Sequence, residues 1–436
     1  MEMLQEYQYK FVRFWRNSIV FRTLTVLSAF TLTALLIILP ARSQPVVLSF
    51  LMNAPEVPNL RPLIAEFEQQ NPGIKINMIE APNATNLVED LNTSSFLLGS
   101  SPYDLINMDI VWVPKFAAAG WLRPIDDLVS QEELAKFLPG DIEGGRYKDK
   151  LYRLPWRTDA SVLFYRSDLL QQAGKQPPKT FSDLTQTAKA IQDSNKNVDW
   201  GFVWQGRQYE GVSAMFVEVL KGNGGFWVDP KTNEVGLDRP EAIDALKFLT
   251  NTVNQGISPS GVSTYQEEEA RLLFQNGKTV FMRNWPYAWS KLNEETSPVR
   301  GKVGIVPMVH APNQRGTGSL GGWGWGIAST TQHPQEAWKA VQFFTSEYVQ
   351  KYSTMKSGYL PARRSLYNDP EILQKYTFFP LVLQVLENPA LRPPVAQYAQ
   401  VSDILQRYLS SAISGRTSPE DAMQAAARET RSLLGA

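Results

Sequence analysis

Aromatic residues are the first feature of this sequence that suggests chemistry, because twelve tryptophans occur in a chain of 436 residues. Trp204, Tyr209, Trp285, Tyr287 and Trp323 lie in Gly- and Pro-rich stretches with the character of loops. The C–H face of a sugar ring stacks on such aromatic faces, while polar side chains around the ring plane bind its hydroxyls. The pattern predicts an aromatic-lined cleft for a carbohydrate, and core packing is the alternative for each ring.

Two aspartates lie at the edges of predicted strands. Asp109 follows a predicted strand at residues 105–108, and Asp159 precedes the apolar run 161–165. Ligands of open α/β sheets bind beyond the carboxyl ends of the strands, although acidic residues in turns are more often solvated or helix caps. A glycoside hydrolase also needs two carboxyl groups, about 5–9 Å apart, and these two aspartates are the one obvious pair. The pair is therefore compatible with sugar binding and with sugar hydrolysis.

Composition excludes several other kinds of site. The chain has no cysteine and two histidines far apart, which removes disulfides, thiolate chemistry and a histidine-rich metal centre. Its 43 basic and 43 acidic residues lack the basic excess of a nucleic-acid binder. No P-loop motif is present, and the dinucleotide-like run 316–321 follows a polar stretch instead of a strand. We therefore expect no metal, no cofactor and no ATPase on this chain.

The first 43 residues have the layout of a secretory signal. Basic residues precede an uncharged apolar stretch at residues 24–39, and small residues at Ala41 and Ser43 would permit cleavage before Gln44. The apolar stretch is shorter than the roughly 20 residues of a full span, so a cleaved signal peptide is favoured over a retained anchor. The absence of cysteine rules out a lipoprotein anchor. We expect an exported protein in the periplasm or another extracytoplasmic space.

Strand and helix patterns alternate along the exported part. Residues 46–51 and 74–78 read as strands around an amphipathic helix at residues 60–67, and a third strand is predicted at residues 104–108. Such alternation is typical of an α/β fold. The exported part has about 390 residues, which is more than a single hydrophobic core usually accommodates. Because no flexible linker is present, we expect two lobes connected by several short crossings that permit hinge closure.

Several motifs in the same order give the chain a family resemblance. They are Gly120-Trp121-Leu122 with Asp126-Asp127, Leu154-Pro155 with Asp159, residues 163–170, 201–206, 208–211, 283–289, 301–307 and 320–323, and Arg392-Pro393. From about residue 47 to its end, the chain resembles the solute-binding proteins of carbohydrate ABC importers, most closely the trehalose/maltose-binding branch. The resemblance implies a type II periplasmic-binding-protein fold, with two α/β lobes, a ligand cleft and several hinge crossovers.

The resemblance also implies a division of the chain. After a signal peptide or anchor at residues 1–43, the first lobe would contain residues 44–155 and 301–358. The second lobe would contain residues 156–300 and 359–436.

Individual ligand-binding residues follow from the same resemblance. Asp109 and Asp159 match positions that accept hydrogen bonds from sugar hydroxyls, and Trp285 and Trp323 match stacking aromatics. Other matches are the backbone contributors Gly321 and Gly322, the donor Arg392, the cleft residues Tyr287, Trp204 and Tyr209, and the acidic residue Glu56 of the first loop. Arg157 stands where the trehalose/maltose-binding relatives have tyrosine, which would suit a more polar or smaller glycoside.

The resulting hypothesis is a monomeric, non-enzymatic receptor that captures a di- or oligosaccharide such as trehalose, maltose, sucrose or a related glycoside. It would deliver this ligand to two ABC permease subunits served by a separate ATPase, without binding nucleic acid. A secreted glycoside hydrolase is the alternative. Presentation of the bound sugar to a chemosensory membrane protein would use the same fold.

Overall fold

A computed structural model describes residues 44–83, 85–99, 101–229 and 232–435. The predicted signal at residues 1–43 lies outside this part of the chain. The strands are β1 Val46–Asn53, β2 Ile74–Ala81, β3 Leu105–Asp109, β4 Leu122–Arg123, β5 Arg146–Tyr147, β6 Lys150–Leu151, β7 Leu154–Ala160, β8 Val162–Arg166, β9 Trp200–Val203, β10 Thr279–Asn284, β11 Val303–Val306 and β12 Leu320–Ala328.

The helices connect these strands and then form the C-terminal part of the chain. They are α1 Val57–Gln70, α2 Thr85–Leu97, α3 Val113–Ala118, α4 Gln131–Leu134, α5 Pro139–Glu143, α6 Ser167–Gln172, α7 Phe181–Ser194, α8 Glu210–Gly222, α9 Pro240–Asn254, α10 Glu267–Gln275, α11 Ala288–Leu292, α12 Pro334–Phe344, α13 Glu347–Ser357, α14 Pro370–Lys375, α15 Phe379–Leu386, α16 Tyr398–Ile413 and α17 Pro419–Leu434.

Two sheets organise the unit Val46–Ala436. In the first, β12 pairs in antiparallel fashion with β3, β4 and β7, and the parallel pair β1–β2 adjoins β3 through a 2.9 Å bond from the Asp104 amide to the Ser49 carbonyl. In the second, the strand order is β11, β8, β10, β9, and only β9 and β10 are parallel. The predicted α/β fold with two lobes is confirmed.

Each sheet has its own hydrophobic core. The first lobe buries α1, α12 and the strands β1, β3 and β12 around Phe50, Trp325 and Phe344. The second lobe buries α7–α9 and the C-terminal helices α15–α17 against β8–β10. Strand β11 pairs with β8 of the second sheet, although the division by resemblance assigned residues 301–358 to the first lobe. The division into segments stays a prediction.

A buried polar network marks the place where the chain crosses between the sheets. Ser161 separates β7 from β8, and Ser319 precedes β12. The Ser319 amide donates to Ser161 Oγ at 2.8 Å and to Glu218 Oε2 at 3.2 Å, while Ser161 Oγ donates to the same carboxylate. Arg283 completes the network with bonds of 2.8 and 2.9 Å to Glu218, and both side chains are fully buried. Both crossings are thereby fixed to helix α8 and strand β10.

Glycines of β12 leave room for two buried ionisable side chains, Asp141 and Arg153. A Cβ at Gly322 would lie 2.8 Å from the Arg157 carbonyl and 3.3 Å from Asp141 Oδ1, and one at Gly324 would lie 2.6 Å from Arg153 Nε. Gly322 has φ +138°, which side chains rarely adopt. Asp141 and Arg153, 1% and 0% exposed, therefore lie directly beneath the strand that contributes Gly321 and Trp323.

None of the helices in the described ranges is both long enough and apolar enough to cross a bilayer.

Removal of the buried Glu218 carboxylate should lower the free energy of unfolding substantially. Glu218→Gln leaves the Arg283 charge buried without its counter-charge, and breaking such a pair costs about 3–5 kcal/mol. We expect this loss in the free energy of unfolding measured with urea. The control is Glu234→Gln, which breaks an exposed pair with Arg239 and should cost less than about 1 kcal/mol. Equal losses in the two variants would contradict the structural role of Glu218.

The buried carboxyl of Asp141 should make stability depend on pH. Burial raises the pKa of Asp141 to about 7, although the nearby Arg153 charge and the Thr158 hydroxyl lower it. An unfolded aspartate loses its proton near pH 3.8, so between these values the folded chain binds more protons and this contribution to stability falls as pH rises. The melting temperature of Asp141→Asn relative to wild type should therefore increase from about pH 5 to about pH 8. Asp90→Asn, on the exposed face of α2, is the control, and a pH-independent difference for Asp141→Asn would refute this effect.

Candidate functional site

Strand β12 aligns the predicted polar residues in one row. Trp323 pairs with Asp109 of β3 on one side and with Arg157 of β7 on the other. Directly opposite residues of antiparallel strands point to the same face, so these three side chains are neighbours. Gly321 pairs with Asp159, two residues further along both strands and hence on that same face. We call Asp109, Trp323, Arg157 and Asp159 the binding row.

Arg157 is held by acidic and aromatic neighbours. Its Nη2 donates to Glu56 Oε1 at 3.0 Å, and its Nη1 lies 3.4 Å from Asp159 Oδ2. The guanidinium carbon lies 4.3 Å from the centre of the Tyr359 ring and 6.0 Å from that of Trp323. Arg157 thus links Glu56 of the first loop to Asp159, which lies on the same strand, β7.

Arg392 reaches the other end of the binding row. Its Nη2 donates to Asp109 Oδ1 at 3.3 Å and to the Leu320 carbonyl at 3.2 Å. Its Nη1 donates to Glu210 Oε1 at 2.7 Å. Burial disfavours the charge of Arg392, but Asp109, Tyr398 and Glu210 outweigh this effect and raise its pKa.

Trp285 lies beside the binding row. A Cβ at Gly321 would lie 3.2 Å from Asp159 Cβ and 3.5 Å from the Trp285 ring, so the indole lies within van der Waals distance of this position. The Arg283 guanidinium stands 4.4 Å from the indole centre, and Trp285 Nε1 donates to Glu267 Oε1 at 3.2 Å. The indole orientation is therefore set by the crossing network and by helix α10.

Tyr209 and Tyr287 adjoin the start of helix α10. The Tyr287 hydroxyl donates to Glu268 Oε1 at 2.7 Å. Burial, followed by the charge of Glu267, raises the pKa of Tyr209 well above its usual value. Since Trp285 also bonds to Glu267, all three aromatic residues adjoin the first turn of α10.

One predicted cleft residue belongs elsewhere. Trp204 is fully buried in the second core, and its Nε1 donates to Thr252 Oγ1 and Ser258 Oγ at 3.3 and 3.2 Å. The prediction that Trp204 lies in the cleft is wrong, because this indole is fully buried in the second core and satisfies its N–H inside the lobe. Gly322 is the other exception. A side chain at this position would point toward Asp141 and Thr158, on the face of the sheet opposite Trp323.

The carboxyl of Asp159 has an unusual protonation equilibrium. Burial raises its pKa to about 7 against the lowering effect of Arg157 and Arg283, and the charges of Asp109 and Glu56 raise it further. At neutral pH this group can therefore accept hydrogen bonds and, when protonated, donate one.

Two site residues escaped the sequence analysis. Tyr359 follows α13 and stacks on Arg157, and burial, followed by the Glu56 charge, raises its pKa. Glu210 begins α8, and an acidic residue there is equally well explained by the helix dipole. No local pattern distinguishes either residue from ordinary surface groups.

The arrangement can bind a neutral, polyhydroxylated molecule. Carboxylates supply acceptors, Arg157 and Arg392 supply donors, and the Trp285 and Trp323 rings supply apolar faces. No group of three or more acidic or histidine side chains in the described ranges is placed to hold a metal ion. Asp109 and Asp159, the two carboxyl groups that a hydrolase would need, each form an ion pair with an arginine.

Comparison with known proteins identifies relatives over most of the chain. A probable ABC transporter-binding protein of Deinococcus radiodurans is 29% identical over 81% of this chain and 85% of its own length. The maltose-bound T. maritima MalE3 structure is 36% identical, with a TM-score of 0.84 over 89% of this chain and 100% of that one. A solute-binding protein of Agrobacterium radiobacter K84 in complex with ribitol is 26% identical, with a TM-score of 0.79 over 89% of this chain and 98% of that one.

The family model for bacterial extracellular solute-binding proteins matches residues 53–351, which include Glu56, Asp109, Asp159, Trp285 and Trp323. Members of this family bind a solute without transforming it, so the hydrolase alternative is not supported. The chain belongs to the bacterial extracellular solute-binding protein family.

Proposed function

We propose that this protein is the extracytoplasmic receptor of an ABC sugar importer. It captures a di- or oligosaccharide, such as trehalose, maltose, sucrose or a related glycoside, and delivers it to two membrane permease subunits with a separate ATPase. The observation that carries the proposal is the binding row, where two carboxylates and two guanidinium groups flank the Trp323 and Trp285 rings. The maltose bound to its relative of 36% identity supports the same ligand class.

Binding combines stacking with directional hydrogen bonds. A pyranose ring placed against the indoles buries its C–H face, while its hydroxyls donate to Asp109 and Asp159 and accept from Arg392. Closure of the lobes excludes water, and the lower local polarity strengthens these hydrogen bonds. Ligand that contacts both lobes shifts the population toward the closed form, which is the form offered to the permease.

Arg157 narrows the range of ligands. Its guanidinium lies over the Tyr359 ring and bonds to both Glu56 and Asp159, so it fills space and presents donors where relatives of the trehalose/maltose-binding branch present an aromatic ring. A more polar or smaller glycoside fits this end of the cleft. The ribitol complex of a relative makes a polyol the alternative ligand to test.

Export and tethering depend on the first 43 residues. The family is extracellular by description, in agreement with the predicted signal, and we propose a monomer released by cleavage before Gln44. Presentation of the loaded form to a chemoreceptor would use the same closed state.

The purified chain from residue 44 should bind sugar and leave it intact. Screening trehalose, maltose, sucrose and ribitol by thermal shift should give stabilisation with at least one saccharide, and chromatography after long incubation should show no monosaccharide. Trp285→Ala should weaken the binding by about 1–3 kcal/mol, since it removes a stacking face. Trp289→Ala, whose ring packs on Phe378 away from the binding row, is the matched control. Ribitol as sole ligand, or released monosaccharide, would contradict the proposal.

Arg157 should determine the choice among sugars. Arg157→Tyr removes the donors to Glu56 and Asp159 and restores the aromatic surface of the relatives, so preference should shift toward trehalose or maltose. Calorimetry with the same panel gives the rank order for both proteins. An unchanged rank order would show that Arg157 has no part in selectivity.

A further inference from the structure

Arg392 is the side chain that connects the two lobes at the binding row. It lies in the segment between α15 and α16, and its side chain is 4% exposed. One end of the guanidinium contacts Asp109 of the first lobe at 3.3 Å, and the other contacts Glu210 of the second lobe at 2.7 Å. An arginine side chain has many rotamers, so the direction of this donor depends on what holds its second nitrogen.

Glu210 accepts the hydrogen bond from Nη1 of Arg392 and is itself oriented by further hydrogen bonds. Its Oε1 accepts from Arg392 and from the Tyr398 hydroxyl, and its Oε2 accepts from Ser402 Oγ at 2.6 Å. Both partner residues lie on α16, one turn apart, and Glu210 is the first residue of α8. Two helices of the same lobe, α8 and α16, thus fix the carboxylate independently of its contact with the guanidinium.

The two ion pairs of Arg392 differ in what they join. Glu210 and α16 belong to the second core, as do the residues around Arg392, whereas Asp109 ends strand β3 of the first sheet. Separation of the lobes would lengthen the contact with Asp109 and leave the contact with Glu210 unchanged. Without Glu210, Nη1 would lose its partner, and the Leu320 carbonyl alone would hold the guanidinium whenever the cleft opens.

We propose that Glu210 is a positioning residue that presets Arg392 for ligand capture in the open cleft. It does not contact the ligand, and its effect on affinity passes entirely through the guanidinium. This role rests on the proposed function, because the ligand that Arg392 meets is the sugar. Tyr398 and Ser402 hold Glu210 in the orientation that this role requires.

The test is a double-mutant cycle on the chain from residue 44. Calorimetry uses whichever of trehalose, maltose and sucrose binds wild type most tightly. Glu210→Gln keeps the size but weakens a charge-assisted bond, and we expect affinity to fall about 10- to 100-fold. Arg392→Gln should cause a similar loss, and the double variant should lose no more than Arg392→Gln alone. Asp403→Asn, which breaks an exposed α16 pair with Arg407, is the control and should bind as wild type does.

Three results decide the proposal. Unchanged affinity of Glu210→Gln overturns it, as do additive losses in the double variant, which would show that Glu210 acts independently of Arg392. If Glu210→Gln does not fold, Tyr398→Phe replaces it in the cycle with a smaller expected loss of about 3- to 10-fold, again absent in the Arg392→Gln background. A wild type that binds none of the sugars overturns the proposed function itself, and the role of Glu210 with it.

Discussion

A fully buried ion pair between Glu218 and Arg283 fixes the place where the chain passes between its two sheets. Two charges removed from water are tolerable only when every remaining lone pair and N–H finds a partner. Ser161, the Ser319 amide and Gln205 supply those partners. Because these groups lie at two of the crossings, the pair ties both of them to α8 and β10 and, through the Arg283 guanidinium, contacts the Trp285 indole.

The glycines of β12 are the second constraint. This strand pairs with β3 and β7 at once, which aligns Asp109, Trp323 and Arg157 across three strands. Its other face lies so close to the Leu154 carbonyl and the Arg153 side chain that a Cβ at Gly324 would overlap them. Strand β12 can therefore be central only because Gly322, Gly324 and Gly326 place no side chains at these close contacts.

Pairing of each guanidinium with two carboxylates then explains how so many ionisable groups lie together at the binding row. Glu56, Asp109, Asp159 and Glu210 surround two guanidinium groups, and each guanidinium bridges two of these carboxylates. Acceptors and donors are thereby held in fixed directions, which suits a ligand with many hydroxyls. The same crowding keeps the pKa of Asp159 at about 7, mainly through burial.

The sequence by itself determined the α/β class and the family, because these depend on local periodicity and on motifs in a fixed order. The helix predicted at residues 60–67 and the strand predicted at residues 74–78 correspond to Val57–Gln70 and Ile74–Ala81. Most of the candidate site residues were also named from the resemblance, and the structure places Asp109, Asp159, Arg157 and Trp323 side by side.

Only the tertiary structure decided which tryptophan is core and which lies beside the binding row. Trp204 and Trp285 have similar Gly- and Pro-rich surroundings in sequence, yet the first is buried in the second core and the second lies beside Gly321. The sequence also did not indicate which charged groups pair with each other. Arg157 pairs with Glu56 across 101 residues, and Arg392 pairs with Asp109 across 283 residues. Local sequence cannot specify such pairs, because strand register and lobe packing bring them together.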